Sequence, residues 1–525
     1  MDLSSHALVF DLAVLLDRTC RFPTDLEPSQ LRKIMNCMTW WNLEKGLITV
    51  GEACEDFGIL INEDPSVVED TLDQIHHWLH INTPLVQTIL GLKELNHELK
   101  ICLMSNISRE HYNIVRKIDL PWSMFDYIFI SWHDGMRKPD LRYFRHVVQQ
   151  TGLNPGEMVM IDGAAENICA ARSVGMQSIF VQDQETKNGE FLLKFFPLKL
   201  AETYLRNNAA SLHSTVEGRN DRVIKDNFTQ LLIFELLGDE TLIYLRWPSG
   251  ELLGHSKASA NGSSKWPNGL SADDHNSNNG EKGPNLNVRN GFWNYFYEHP
   301  FKGSLDIPLD ADTTCIAYLS LPTKYQHMLA DVETVLGVMA INQDLCGVMK
   351  TYSCSDHPWT TPESCCNMLR LFYGSGYGND PRIRTTEDWV LSCLRHKACL
   401  HGNRRYSTPE SFLYFVAHLY VECRPSPLAS KLEYDVKKQL EERIGLKTNA
   451  LALALRVVSC QLVGIDENRY ATDFQLLMSL QKRDGGWPAG HFCYSHTSGD
   501  HLGNRGLTTA LAIQAIRYQR HIAQG

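Results

Sequence analysis

The chain has 525 residues, too many for one ordinary domain and enough for two or three. Its hydrophobic content of 43% supplies substantial cores, and a formal charge of -11 with a pI near 6.0 argues against a nucleic-acid or anionic-membrane partner, since both want a basic surface. The 15 cysteines are scattered without a C-x-x-C pair, and the start carries Asp11 inside its apolar run with no basic region before it. No apolar run approaches the roughly 20 residues a bilayer requires. A cytoplasmic protein with reduced thiols and no transmembrane segment is expected.

The N-terminal part reads as α/β. ALVFDLAVLL, starting at Ala7, is a short apolar run of strand length. Helical periodicity follows from about Pro28 to Leu99. Four more short apolar runs come next: KICLMSN from Lys100, YIFIS from Tyr127, MVMID from Met158 and QSIFVQD from Gln177. Helical stretches such as RYFRHVVQQTG separate them, and such alternation predicts a parallel Rossmann-like sheet covered on both faces.

Past about Phe195 the pattern changes. A polar connector is expected over 196–225, then a helix in NFTQLLIFELLG. Residues 254–288, rich in Ser, Asn and Gly, cannot bury enough apolar surface to offset the entropy of ordering and read as a disordered insertion. From Val288 onward the segments DVETVLGVMAINQDL, PESCCNMLRLFYG, PESFLYFVAHLYVEC, TNALALALRVVSCQL and LTTALAIQAIRYQ are helical. Few strand signals interrupt them. The expectation is an α/β domain over 1–195, a linker over 196–225 and an all-α bundle or α/α barrel over 226–525.

Functional groups in an open α/β sheet collect at the carboxyl ends of strands. Asp11, Ser105 with Asn106, Lys138 and Asp162 take such positions here. A carboxylate nucleophile, a hydroxyl, a lysine and a second carboxylate together suit a phosphoryl group and Mg²⁺. In this order, with the K-P-D of Lys138 to Asp140, the segment 6–185 resembles the haloacid-dehalogenase-like superfamily. The resemblance implies that residues from about 17 to 99 form an inserted helical cap. It also implies that Asp11, Ser105, Lys138 and Asp162 form the site, with Glu166 joining Asp11 and Asp162 as a metal ligand. Two positions depart from the family pattern. Ala13 stands where family phosphatases carry the aspartate that protonates the leaving oxygen, and Gly163 stands where a second adjacent aspartate is usual. General-acid help of that kind is worth roughly 10²–10⁴-fold, so hydrolysis should be impaired.

The helical half carries a different pair of aspartates, in LDADTT from Leu309 to Thr314. An aspartate in an apolar pocket prefers its neutral form, and a neighbouring carboxylate strengthens that preference. Such an acid suits protonation of an alkene if aromatic faces stabilise the cation. GFWNYFYEHP, with Phe292, Trp293, Tyr295, Phe296 and Tyr297, lies just upstream, and Trp389, Tyr406, Phe412, Tyr414 and Trp487 follow. A plain helix N-cap is the alternative for the aspartates, and helical core is the alternative for each ring. Gln481-Lys-Arg-Asp-Gly485-Gly-Trp487 adds a Q-x-x-x-G-x-W repeat.

D-x-D-T-T together with that repeat resembles the class II terpene cyclases. The resemblance implies Asp312 as proton donor, Asp310 as its modulator, Arg505 as a diphosphate ligand, and Phe292, Trp293, Tyr414 and Trp487 along the substrate. No D-D-x-x-D/E motif appears in the helical half, so the substrate diphosphate should survive. The fusion as a whole resembles drimane-type sesquiterpene cyclases. It implies farnesyl diphosphate as substrate and a bicyclic diphosphate as the cyclised product, and the departures at Ala13 and Gly163 leave that diphosphate for a separate phosphatase. Slow dephosphorylation to the alcohol is one alternative. A metal-dependent phosphatase with a non-catalytic helical module is another. His491, His496 and His501 are widely spaced and lack the i, i+4 arrangement of a helical zinc site, which argues against a metal there.

Overall fold

Strand β1 (Ala7–Phe10) is buried along its whole length and pairs in parallel with β2 (Lys100–Ser105) on one side and β4 (Met158–Asp162) on the other. Strands β3 (Tyr127–Ile130) and β5 (Gln177–Phe180) complete a five-stranded parallel sheet in the order β3-β2-β1-β4-β5. The computed structural model describes residues 6–16, 25–77, 79–181, 190–193, 196–217, 219–248, 252–253, 291–296, 308–352, 359–403, 405–495 and 500–524. The expected insertion over 254–288, Tyr297 and His496 lie outside the described residues. The chain divides into two compact units, Met1–Leu200 and Ala201–Gly525.

In the first unit, alternation along each strand sends side chains to two cores. Leu8, Phe10, Ile101 and Leu103 join one, while Ala7, Val9, Cys102 and Met104 join the other. The apolar run after Phe10 does not continue as strand. Asp11 accepts the Ala13 N–H at 3.2 Å and caps a short 3₁₀ helix, Leu12–Val14. Helices Pro28–Met35, Met38–Glu44, Val50–Ile61 and Pro65–His77 enclose a separate core around Ile34, Leu43, Phe57 and Val68. The next helix, Thr83–Leu95, buries Leu85, Val86, Ile89 and Leu92 in the sheet's core instead. The cap therefore ends before that helix, short of the expected limit near residue 99.

The second unit contains a closed ring of six helices: α1 (Asn227–Leu237), α2 (Ala311–Ser320), α3 (Pro362–Gly374), α4 (Pro409–Glu422), α5 (Ala450–Leu462) and α6 (Arg505–Gln524). Each packs on the next, and α6 returns to α1. Helices Val332–Ile341, Arg384–Arg395, Pro427–Arg443 and Glu467–Ser479 connect α2 through α6 along the outside. Position in the ring explains the sequences. In α5 every residue from Ala450 to Gln461 is buried, as an inner helix requires, whereas the outer Pro427–Arg443 buries one stripe, including Leu428, Leu432, Val436 and Leu440. Because each outer helix reverses the chain, inner helices α2 to α6 run parallel.

The expected linker over 196–225 is structured. It holds the helix Pro197–Asn207 and strands β6 (Ser214–Val216) and β7 (Arg219–Ile224). After the two-residue strands β8 (Leu245–Arg246) and β9 (Leu252–Leu253), the hairpin β10 (Cys493–Ser495) and β11 (Asp500–Gly503) joins β6 and β7 in an antiparallel sheet, β10-β11-β6-β7. These strands are short and drawn from distant polar segments, so local periodicity does not reveal them. Among the described residues, no helix is long and apolar enough to cross a membrane. The cysteines among the described residues are free thiols.

Candidate active sites

In the first unit the carboxyl ends of the central strands converge. Lys138 is 1% exposed, and its Nζ donates to Asp11 Oδ1 and Asp162 Oδ2, each at 2.7 Å. Burial works against its charge, but the two carboxylates outweigh burial and hold its pKa above the ordinary lysine range. Asn106 fixes the lysine's backbone by accepting from the Lys138 N–H at 2.8 Å and donating to its carbonyl at 2.9 Å. Ser105 ends β2 and is buried. Asp162 also accepts the Ala164 N–H at 2.8 Å and the Asn167 side-chain amide at 2.9 Å.

Asp11, Ser105 and Asp162 thus lie at the ends of adjacent strands, and Lys138 reaches them from the loop beyond β3 and the short helix Ser131–Asp134. Glu166 is exposed on the first turn of helix Ala165–Ser173, and it is Asn167 that reaches Asp162. Its neighbour in sequence points inward because the helix buries Asn167 and Ile168 on the same side. Ala13 presents only a methyl group and cannot deliver a proton.

In the second unit Asp310 and Asp312 take two distinct jobs at the start of α2. Asp310 is the N-cap: Oδ1 accepts the Thr313 N–H at 2.6 Å and Oδ2 accepts the Thr313 hydroxyl at 3.0 Å. The capping geometry and the acid pair therefore coexist. Burial, with the Asp312 charge adding to it and the Thr313 hydrogen bonds opposing, pushes the Asp310 carboxyl up to about 7. Asp312, two residues on in the first turn, accepts at Oδ1 from Asn367 Nδ2 at 2.7 Å and at Oδ2 from the Ser364 hydroxyl at 3.0 Å and the Tyr406 hydroxyl. Burial pushes it above the carboxylate range against the pull of those three donors.

The two effects are complementary. Burial favours the protonated form of Asp312, and the three donors are placed to stabilise its carboxylate form. The positive end of the α2 dipole acts in the same sense.

A polar stripe along α3 holds this arrangement. Ser364, Asn367 and Arg370 are spaced i, i+3, i+6 and share one face. Arg370 Nη1 donates to Asn367 Oδ1 at 3.1 Å, and Nη2 pairs with Glu235 of α1. Asn403 organises the other side. Its Oδ1 accepts the N–H groups of Arg405 (2.9 Å) and Tyr406 (3.0 Å), and its Nδ2 donates to both oxygens of Glu363 at 3.0 Å.

Aromatic rings surround Tyr406: Phe492 at 5.1 Å, Phe415 at 5.6 Å and Phe228 at 6.4 Å between centroids, with Tyr295 stacked on Phe228 at 5.4 Å. A small cavity lies beside them, with Tyr295, Phe296 and Phe492 in its walls and Asp226 and Asn504 among its polar lining; neither Tyr406 nor Asp312 lines it. Those faces suit a cation.

The remaining expected residues divide. Trp293 is buried, accepts the Asp310 N–H through its carbonyl at 3.0 Å and donates its own N–H to Thr314 Oγ1 at 2.9 Å, so it braces the acid motif through its backbone. Phe292 is buried beside it. Tyr414 is buried on α4, its ring 4.5 Å from that of His418.

The structure places Trp487 and Arg505 together at the Q-x-x-x-G-x-W turn. Trp487 is fully buried, with its indole N–H on the Leu477 carbonyl at 2.6 Å and its backbone N–H on Thr509 Oγ1 at 3.0 Å. Arg505 forms a two-pronged pair with Asp484 at 2.8 and 3.0 Å, donates Nε to the Trp487 carbonyl at 3.0 Å, and stacks over Tyr204. With Gln481 donating to the Gly485 carbonyl at 2.9 Å, these contacts tighten the Q-x-x-x-G-x-W connection. The guanidinium is committed to that turn.

Ser364, Asn367, Glu363, Asn403, Arg370 and Glu235 escape the motif-based reading. One signal for them exists in the sequence. Thr361-Pro-Glu-Ser364 recurs as Thr408-Pro-Glu-Ser411 and opens two successive inner helices, α3 and α4. Buried polar residues repeated at helix starts mark one end of a barrel.

The first unit thus carries a lysine–carboxylate cluster on a parallel sheet, and the second a buried aspartate pair at the start of one helix of a closed ring. Residues 198–375 match the sesquiterpene cyclase astC-like C-terminal domain family, and residues 29–175 match the haloacid dehalogenase-like hydrolases. The chain is 28% identical to drimenol cyclase drtB of Aspergillus calidoustus, over 97% of this chain and 88% of that one. It is 29% identical to sesquiterpene phosphatase astK of Aspergillus oryzae (strain ATCC 42149 / RIB 40), over 34% of this chain and 90% of that one. A solved structure, the magnesium complex of HAD family enzyme bt-2542 from Bacteroides thetaiotaomicron, covers 36% of this chain and 98% of its own at 21% identity and a TM-score of 0.30. The chain resembles the drimane-type sesquiterpene cyclases along nearly its whole length.

Proposed function

We propose that the chain cyclises farnesyl diphosphate by protonation and releases a bicyclic drimane-type diphosphate. Asp312 gives its proton to the terminal double bond. The cation passes along the folded chain as two rings close, under the aromatic faces around Tyr406, and a final deprotonation ends the reaction. The carboxylate left on Asp312 is received by Tyr406, Ser364 and Asn367. The observation that carries this reading is the buried Asp312 with three side-chain donors on it.

The oxygen donors of Asp11 and Asp162, beside Lys138, fit a hard divalent cation, and they would hold Mg²⁺ in the first unit. Mg²⁺ there would neutralise phosphate charge. Lys138 would hold phosphate oxygens, and Ser105 would orient them. Without a carboxyl at position 13, the leaving oxygen has no proton donor there, so the diphosphate leaves intact for a separate phosphatase.

A second reading is favoured by the intact Asp11–Lys138–Asp162 cluster and by the names of the relatives, a drimenol cyclase and a sesquiterpene phosphatase. In it the first unit removes phosphate and the alcohol is the product. Incubation with farnesyl diphosphate and Mg²⁺, followed by mass spectrometry of untreated products, separates the two. A product isomeric with the substrate, giving a bicyclic alcohol only after added phosphatase, supports the first. Direct alcohol supports the second. Full cyclisation by Asp312→Ala would exclude Asp312 as the acid in either.

A further inference from the structure

The sheet β10-β11-β6-β7 brings together three side chains that the cyclase reaction does not use. Glu217 directly follows β6, His501 sits in β11, and His491 lies two residues before β10. One imidazole nitrogen of each histidine and one carboxylate oxygen of Glu217 lie within 4.8 Å of one another. The imidazole centroids are 4.5 Å apart, with planes inclined at 42°.

The backbone holds the three in place. The Glu217 N–H donates to the His501 carbonyl at 2.8 Å, and the His491 N–H donates to Oδ1 of Asn449, the N-cap of α5, at 3.2 Å. Both histidines are half-buried and Glu217 is exposed, so the cluster is walled on one side and open to solvent on the other. Nδ1 of His501 is buried without a hydrogen-bond partner among the described residues. A buried ring nitrogen of that kind calls for an explanation, and a bound ion on the same side chain fixes its tautomer and supplies one.

We propose that Glu217, His491 and His501 form a three-ligand site for a borderline divalent transition metal of the Zn²⁺ class. Two imidazoles and one carboxylate are a common zinc donor set that leaves a fourth position open. The imidazoles separate this site from the all-oxygen cluster of the first unit, which suits Mg²⁺. The spacing argument against a metal applies to ligands on one helix. Here strand pairing joins residues far apart in sequence. The ion would pin the β10–β11 hairpin to the end of β6. Phe492, between His491 and β10 and 5.1 Å from the Tyr406 ring, would be fixed with it. The metal would act as a clamp on the aromatic wall beside the acid.

The full-length protein, stripped with a chelator and dialysed, would be titrated with Zn²⁺ against a chromophoric competitor and, separately, with Co²⁺ followed by visible absorption. The expected result is one equivalent bound with imidazole-type cobalt bands. Glu217→Gln, His491→Gln and His501→Gln should each weaken binding by at least about 10-fold, whereas Asp162→Asn should leave that equivalent in place. Zn²⁺ should raise the melting temperature of the parent protein and not that of Glu217→Gln, whose exposed position leaves folding unaffected. Equal uptake by the parent protein and the three variants, cobalt bands of thiolate type, or no uptake at all would overturn the proposal.

Discussion

The Tyr406 hydroxyl donates to the Asp312 carboxyl across 94 residues of sequence. The pairing joins the first turn of α2 to the loop before α4, and Asn403 holds that loop by accepting the Tyr406 N–H. The tyrosine is therefore a donor already placed for a negative charge on the Asp312 carboxyl.

Tyr406→Phe keeps the ring and removes the donor. Losing one preorganised donor to a developing oxyanion costs about 10²–10³-fold in rate. Single-turnover cyclisation should slow by about that factor, with substrate affinity little changed. The same variant removes a group that stabilises ionised Asp312, so the pH above which activity falls should move upward. A rate equal to that of the parent protein would remove Tyr406 from the mechanism.

Asp310→Asn gives a pH shift of the opposite sign. Asparagine still caps α2 through its side-chain oxygen. It removes a carboxyl that the Asp312 charge helps push up to about 7, and once that carboxyl ionises its like charge favours protonated Asp312. Asp312 should then ionise at lower pH, and the alkaline limb of the rate profile should move down. The displacement is read from the rate of cyclisation across about pH 5–9.

Much of this arrangement is legible in the amino-acid order. The apolar runs at Lys100 and Met158 become β2 and β4 because strands buried on both faces need continuous apolar sequence, and the run at Tyr127 becomes the edge strand β3, where Ile128 is exposed. Asp11 and Asp162 can be placed because strand ends follow directly from strands, and Lys138 because the K-P-D pattern marks the loop beyond the third strand. Asp310 and Asp312 can be placed because five consecutive residues carry the motif. What stays hidden depends on long-range closure. Ser364 and Asn367 look like ordinary helix residues until the ring brings α3 beside α2. Arg505 looks like a free cation until the Trp487 turn brings Asp484 to it. The sheet holding Glu217 and His501 joins segments that no local pattern connects.

Glu363 and Glu410 occupy the same position in the two Thr-Pro-Glu-Ser repeats yet meet different partners. Glu410 receives Arg443 at 2.8 Å and Arg456 at 3.1 Å, while Glu363 receives the neutral amide of Asn403. Burial, opposed by its hydrogen bonds, pushes Glu363 up to about 8 from 4.5. Its folded pKa lies above the unfolded one, so its contribution is fully present below about pH 4.5 and is lost as pH rises through about 8. Glu363→Gln mimics the protonated form and should flatten that dependence. Relative to the parent protein, the variant should gain stability between about pH 5.5 and pH 8.5, as read by urea midpoints.

The Glu235–Arg370 pair lies behind Asn367, with side chains 14% and 3% exposed. Removing one partner leaves the other charge buried. Arg370→Met should therefore cost about 3–5 kcal/mol, and adding Glu235→Leu should recover part of it. Chemical unfolding checks the stability. Cyclisation should fall in both variants, because Asn367 loses the donor that orients its amide toward Asp312.

Position 13 tests the division of labour between the two units. The Ala13 backbone N–H already donates to Asp11, so the residue lies at the carboxylate that would meet phosphate. Ala13→Asp supplies the missing general acid at that point. Such an acid contributes about 10²–10⁴-fold to a step that needs a protonated leaving oxygen. The variant should convert the product mixture from bicyclic diphosphate toward bicyclic alcohol, with matching release of inorganic phosphate, while the rate of substrate consumption stays the same. Asp11→Asn added to Ala13→Asp should abolish the gain. If the parent protein already releases the alcohol at the rate of cyclisation, or if Ala13→Asp leaves the diphosphate intact, the absent carboxyl is not what limits hydrolysis.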